Sequence, residues 1–273
     1  MPIGFIIDTE FVWGFTARVV GLSKTAPSFL YPPPSTFLGS LAEVIAKKHA
    51  LGEKVGLNVI SSLSKNLLAI GVRPINCIAI KYTDLNRIIT IRKRSGKLYP
   101  RADDVTASFD SPARGKTALT SIDSNAPILR WLLVFSNRKI KVYEIEIELN
   151  KDYFWKIHRV GSKESRVAVL DVKESSNLKI IRQKIVETKY SFPLFKKLKI
   201  IKMQGTWEDE TYINPFQIEE YSEKENPVLN YIMGKKLLRF KVPTLLFKKP
   251  LSRIDIGESY SAYSIGGEVV IGR

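Results

Sequence analysis

Three consecutive prolines, Pro32-Pro33-Pro34, followed at once by Ser35 and Thr36, constrain this chain more than any other local feature. Proline fixes φ and removes a backbone donor, so helix is forbidden before Ser35, and Ser35 or Thr36 is expected to cap whatever helix follows. Phe37, Leu38, Leu41, Val44 and Ile45 then recur at helical spacing on one face, and Lys47, Lys48 and Gly52 supply cationic and glycine stop signals. Upstream, residues 3–13 mix β-branched and aromatic side chains and predict a first strand, continued in extended form through Gly14 and 15–22.

Downstream, 57–70 predicts a second helix and 74–82 a strand holding Cys77 as a small core hydrophobe. From about Arg87 to Asn125 the sequence turns polar and basic, with Pro and Gly interspersed, and reads as a long insertion outside the core; Ile88–Arg94 suits one arm of a projecting hairpin. Strand patterns resume at 128–135, 140–149, 166–173, 178–186, 198–203, 212–218, 236–247 and 259–271. Two helices against this many strands give an α+β chain dominated by antiparallel sheet.

The charge is strongly basic, with 43 Lys and Arg against 27 Asp and Glu and a formal net charge of +16. It is uneven. Residues 151–202 hold fourteen Lys and Arg against five Asp and Glu, whereas 203–273 hold nine against ten. Cations placed against phosphates release condensed counterions, so a polyanionic partner is expected, bound mainly by residues before about 202. With 44% hydrophobic residues the chain can bury a sizeable core, which excludes intrinsic disorder. Cys77 is the single cysteine, which excludes a disulfide scaffold, and no Cys/His spacing suits zinc. The early Asp8 and Glu10 and the Arg130 inside the most apolar run leave no signal peptide or membrane span, so a cytoplasmic location is expected.

Chemistry is hard to assemble. His49 sits near the end of the first helix and His158 beside Arg159 in a basic turn, and no nucleophile elbow, P-loop or zinc-protease motif occurs. Glu208-Asp209-Glu210 with Glu219, Glu220, Glu223 and Glu225 reads as a solvated loop without metal-ligand spacing. Metal and cofactor are both expected to be none. Arg159-Val160-Gly161-Ser162-Lys163-Glu164-Ser165-Arg166 is the stronger signal: glycine admits close backbone approach, and flanking amides, hydroxyls and cations make an anion-binding concavity. The start of the first helix is a second anion site by its geometry. Gly266-Gly267 with Gly272-Arg273 reads either as a third glycine-rich approach or as a turn and a frayed end.

Trp13-Gly14-Phe15 and the stretch Phe29-Leu30-Tyr31-Pro32-Pro33-Pro34-Ser35-Thr36-Phe37-Leu38-Gly39-Ser40-Leu41-Ala42 closely resemble the N-terminal signature of the Cas-five family of CRISPR-associated proteins, and His158–Ser165 looks like its second conserved stretch. Together the two cover about residues 3–170, and the archaeal type I-A subunits are the most similar form. The resemblance implies a RAMP-superfamily fold: a ferredoxin-like, RRM-type domain over 1–150 with a long thumb hairpin at about 87–125, then a β-rich part over 151–273. It also implies a non-catalytic subunit of a type I Cascade surveillance complex in antiviral defence, which holds the repeat-derived 5′ handle of the crRNA and caps the backbone filament. Implied partners are the crRNA, the backbone and large subunits, and, as a further candidate, target DNA near the PAM. The expected RNA-binding residues are Arg18, Lys24, Ser35, Thr36, Gly39, Arg92, Lys93, Arg94, Lys97, Arg101, His158, Arg159, Gly161, Ser162, Lys163 and Ser165. The alternatives are a metal-independent repeat-processing endoribonuclease that uses His158 with Lys163 or a nearby Tyr, and an RNA-associated scaffold protein.

Overall fold

The computed structural model describes residues 1–17, 27–85, 92–99, 101–104, 113–220, 229–246 and 248–273. Strands β1 (Ile3–Phe11) and β2 (Gly14–Phe15) precede helices α1 (Pro34–Lys48) and α2 (Glu53–Asn66). Next come β3 (Leu67–Pro74), β4 (Cys77–Leu85), β5 (Arg92–Arg94), β6 (Lys97–Tyr99), β7 (Ala113–Ser121), β8 (Ile128–Phe135), β9 (Lys139–Val142) and β10 (Ile145–Glu148). After α3 (Lys151–Trp155) lie β11 (Val167–Ser175), β12 (Lys179–Ile181), β13 (Ile185–Thr188), β14 (Phe192–Pro193), β15 (Lys199–Gln204) and β16 (Thr206–Ile213). Helix α4 (Leu229–Met233) leads into β17 (Leu237–Thr244), β18 (Leu251–Asp255), β19 (Ser261–Ile265) and β20 (Glu268–Gly272). The chain is therefore mostly β-sheet with few helices.

A seven-stranded sheet in the order β11-β1-β8-β3-β20-β19-β12 organises the molecule and draws strands from both sides of residue 150. Phe5, Ile7, Trp131, Leu133, Ile70 and Val72 face α1 and α2, where Phe37 stacks on Trp131 with ring centres 4.3 Å apart. Ile6, Leu132, Val134 and Ala69 face the opposite way into a second cluster with Tyr190, Tyr263 and Val270. Because both faces of β1 and β8 are covered, these strands read as continuous apolar runs and not as alternating ones. Arg130 is the charged exception in β8, and it forms a two-pronged pair with Asp8 on β1 at 2.6 Å for each prong.

Several local expectations are corrected. Helix α1 begins at Pro34 with Pro33 as its cap, two to three residues before the expected Ser35 or Thr36, and has no capping hydroxyl; Thr36 donates its backbone N–H to the Pro33 carbonyl at 2.9 Å. Proline is favoured at this first position because its missing donor would be unpaired there anyway. The second helix stops at Asn66, since Leu67 turns extended (φ −74°, ψ 125°) and Leu67–Pro74 joins the main sheet. The acidic run 208–210 lies in strand β16, not in a solvated loop, and Glu210 is buried. Arg273 is not frayed: its guanidinium donates to the carbonyls of Leu67 at 2.9 Å and Lys65 at 2.7 Å, closing the end of α2. Among the described residues no helix is long and apolar enough to cross a membrane.

Candidate nucleic-acid interface

The turn between α3 and β11 is built to hold one shape. Asn150 caps α3 by accepting the Asp152 N–H at 3.0 Å, and the chain then forms a narrow loop in which Val160 N–H donates to Ser165 O at 3.0 Å and Ser165 N–H donates to Ser162 O at 2.9 Å. Gly161 has φ +125°, and a Cβ there would lie 2.8 Å from Ser165 Oγ and 3.0 Å from the Thr16 carbonyl oxygen, so only glycine fits. The loop is stitched to the segment that follows β1. Thr16 N–H donates to Ser165 Oγ at 2.9 Å, Ser162 N–H donates to Thr16 O at 3.1 Å, and Trp13 Nε1–H donates to Glu164 O at 3.0 Å.

This arrangement sorts the predicted residues. Ser165 is fully buried with its hydroxyl occupied, so it shapes the turn and is not a ligand contact. Gly161 acts in the same way, and Ser162 donates its hydroxyl to Glu164 at 2.8 Å. Arg159 reaches across to Glu43 on α1 at 2.8 Å, where Lys47 also pairs at 2.7 Å. Partial burial opposes ionisation of Glu43, but the hydrogen bonds from Lys47 and Arg159 outweigh it and hold the carboxyl below its ordinary range. His158 and Lys163 are exposed at the surface of the loop, and among the described residues neither forms an ion pair.

The helix start differs in character. Ser35, Thr36 and Gly39 are half-buried along α1, and a Cβ on Gly39 would touch Ile60 of α2 at 3.8 Å. Just ahead of the prolines, Leu30 N–H donates to the buried carboxylate of Glu210 at 2.6 Å, and Tyr212 donates its hydroxyl to the same group at 2.5 Å. Burial raises the Glu210 pKa, with the two hydrogen bonds pulling the other way. A carboxylate at this point was not anticipated from sequence; the signal available was its place in alternation with Tyr212 along one strand face.

The basic insertion is organised around a hairpin whose arms are β4 and β7, paired from Cys77↔Ser121 to Leu85↔Ala113. Its span is about 27 Å at the usual rise per residue. The part of the expected insertion from Ala113 onward is thus sheet, and Thr117 is wholly buried, donating its hydroxyl to Phe29 O at 2.5 Å. β2 crosses β7 so tightly that a Cβ on Gly14 would lie 2.0 Å from the Thr117 carbonyl oxygen. Lys116 pairs with Asp84 at 2.5 Å and lies 5.9 Å from the Trp13 ring centre, which ties the hairpin to the turn. Lys93 and Lys97 are exposed on β5 and β6, joined by Ser95 and Gly96 at φ +49° and +77°, as a tight hairpin turn requires. Arg101 pairs with Asp103. Arg92 and Arg94 lie on β5, and Arg18 and Lys24 fall outside the described residues.

Other candidate groups have structural partners. Cys77 is buried, which pushes its thiol up to about 12 and suits a core hydrophobe. His49 Nε2 lies 2.8 Å from the Tyr153 hydroxyl, at the end of α1. Among the described residues no three His, Cys, Asp or Glu side chains form a group that could hold a metal ion.

No family model matches the sequence. Over 172 residues the chain is 26% identical to "CRISPR-associated protein Cas5 2" of Saccharolobus solfataricus, a match that spans 62% of this chain and 60% of the length of that relative. The fold is similar to that in the crystal structure of a CRISPR protein from Archaeoglobus fulgidus, with TM-score 0.73, 41% identity and 99% of both chains covered. A chain of the type III-B Cmr-beta complex bound to cognate target RNA aligns over 91% of this chain with TM-score 0.41 and 9% identity, too slight a likeness to argue from.

Proposed function

This chain belongs to the Cas5 family of CRISPR-associated proteins, and from that premise we propose that it is a non-catalytic RNA-binding subunit of a type I effector complex, holding the 5′ handle of the guide. One observation carries the reading. A loop fixed to the post-β1 segment by three hydrogen bonds exposes Lys163 and His158 at its surface, in a chain of net charge +16. A rigid loop with outward cations positions a phosphate at little entropic cost, and exposed bases of a single strand supply the specificity.

Two architectural points support the finer version. The order β11-β1-β8-β3, with α1 and α2 between β1 and β3 and α3 between β8 and β11, is the arrangement expected of a ferredoxin-like core. The β4–β7 hairpin, extended by β5 and β6, has the form expected of a thumb that would meet the backbone subunit. Cytoplasmic assembly with the backbone and large subunits, and contact with target DNA near the PAM, belong to the same proposal.

Binding of labelled repeat RNA tests it. The protein should bind an intact handle more tightly than a scrambled one and leave it uncut. Specific cleavage abolished by His158→Ala would replace this reading with the endoribonuclease.

A further inference from the structure

A long run of cations lies away from the turn. Residues 176–202 carry eight Lys and Arg against the single Glu187, and among the described residues none of the eight forms an ion pair with a carboxylate. Exposed cations are normally interspersed with carboxylates, so a stretch this one-sided is an electrostatic footprint for a polyanion. Part of it borders a groove of about 890 Å³ lined by Lys184, Lys189 and Arg253, all exposed. Glu187 and Glu268 also line this groove. Glu268 already holds Arg73 at 2.5 Å and Arg130 at 3.2 Å, and Glu187 stands alone against Lys184, Lys189 and Arg253, so the groove stays cationic. At its rim, the β19–β20 turn places Gly267 at φ +83° with open space where a side chain would sit, so a strand can approach the backbone there.

The groove is separate from the turn. β12, which leads into it, and β11, which leaves the turn, are opposite edges of the seven-stranded sheet. Groove residues run from Ile181 on β12 to Val269 on β20, four to six strand spacings, about 19–29 Å, from β11.

We propose that this groove is a second nucleic-acid contact, which takes the phosphates of a single strand outside the handle without regard to sequence. The proposal uses the guide-RNA reading only to say which strand comes near; the site itself stands on the charge and shape of 184–189, Arg253 and Gly267.

The test compares two variants of the full chain, Lys184→Ala/Lys189→Ala/Arg253→Ala and Lys163→Ala, each titrated with labelled RNA of random sequence and with repeat-handle RNA over a range of salt. The triple variant should bind random RNA more weakly and flatten the log–log salt slope by about 2, at roughly 0.7 per lost contact on a single strand, while keeping its preference for the handle. A variant carrying Lys184→Arg and Lys189→Arg should bind as the parent does. Unchanged affinity and slope in the triple variant overturn the proposal. So does unchanged RNA binding with loss of a protein subunit, since exposed Ile185 and Ile200 beside the lysines would then anchor a protein interface. If Lys163→Ala has no effect while the triple variant weakens, the handle reading fails and the groove stands.

Discussion

Gly161→Ala separates the shape of the turn from its charge. The new Cβ would lie 2.8 Å from Ser165 Oγ and 3.0 Å from the Thr16 carbonyl oxygen, at a φ of +125° that L-residues rarely adopt. Such backbone strain costs about 1–3 kcal/mol. Overpacking against a backbone atom costs a similar amount. Together they predict a loss of about 2–6 kcal/mol, or roughly 10 °C in thermal midpoint for a chain of this size. Scanning calorimetry reads the midpoint, and handle-RNA anisotropy should fall with it because Lys163 moves with the loop. Ser165→Ala supplies an internal check: it costs about 1–3 kcal/mol by stranding the Thr16 N–H, yet it removes the 2.8 Å contact, so the double variant should lose less than the sum of the singles. A Gly161→Ala protein that melts with its parent, or strict additivity in the cycle, would refute the reasoning.

Lys163→Ala should leave the thermal midpoint unchanged and lower the salt slope of handle binding by about 0.7; an unchanged slope removes this lysine from the RNA site. Glu210 has a raised pKa, so its contribution to stability is full below the ordinary carboxylate range and is lost as pH rises through its raised value. Glu210→Gln should therefore gain on the parent in urea midpoint as pH rises to neutral, whereas Glu210→Ala should lose about 1–3 kcal/mol by leaving the Leu30 N–H without its acceptor. Asp123 is held at about 2, chiefly by the Ser121 hydroxyl and then by the Asn125 N–H, so its stabilisation is present above the ordinary Asp value and lost as pH falls through about 2; Asp123→Asn should flatten the acid limb of the stability curve. A hairpin shortened between Leu85 and Ala113 should stay folded by circular dichroism, while a cut carried through Lys116 removes four β7 positions and the Asp84 pair and should lower the midpoint.

What could be read from sequence was whatever a single element decides. The proline run placed the start of α1 within three residues, and Ile128–Phe135 is the strand its apolar run promised, because both faces of that strand are covered. Leu67–Ile70 is an apolar run that suits either period, so sequence alone extends the second helix over these four residues, and only their place beside β8 makes them strand. Ser165 was legible as a polar turn residue but not as a buried one, since its partner Thr16 lies 149 positions away. Arg159 likewise looked like a phosphate ligand until Glu43 on another element claimed it. The excess charge of 151–202 was visible in composition, yet its division between the turn and the groove beyond β12 depends on strand order.

Photochemical crosslinking of the protein bound to guide RNA, with the attached peptides identified by mass spectrometry, tests the central claim most directly. The account predicts that nucleotides of the 5′ handle crosslink to the peptide containing His158 and Lys163. Handle crosslinks that consistently avoid residues 158–166 would contradict it.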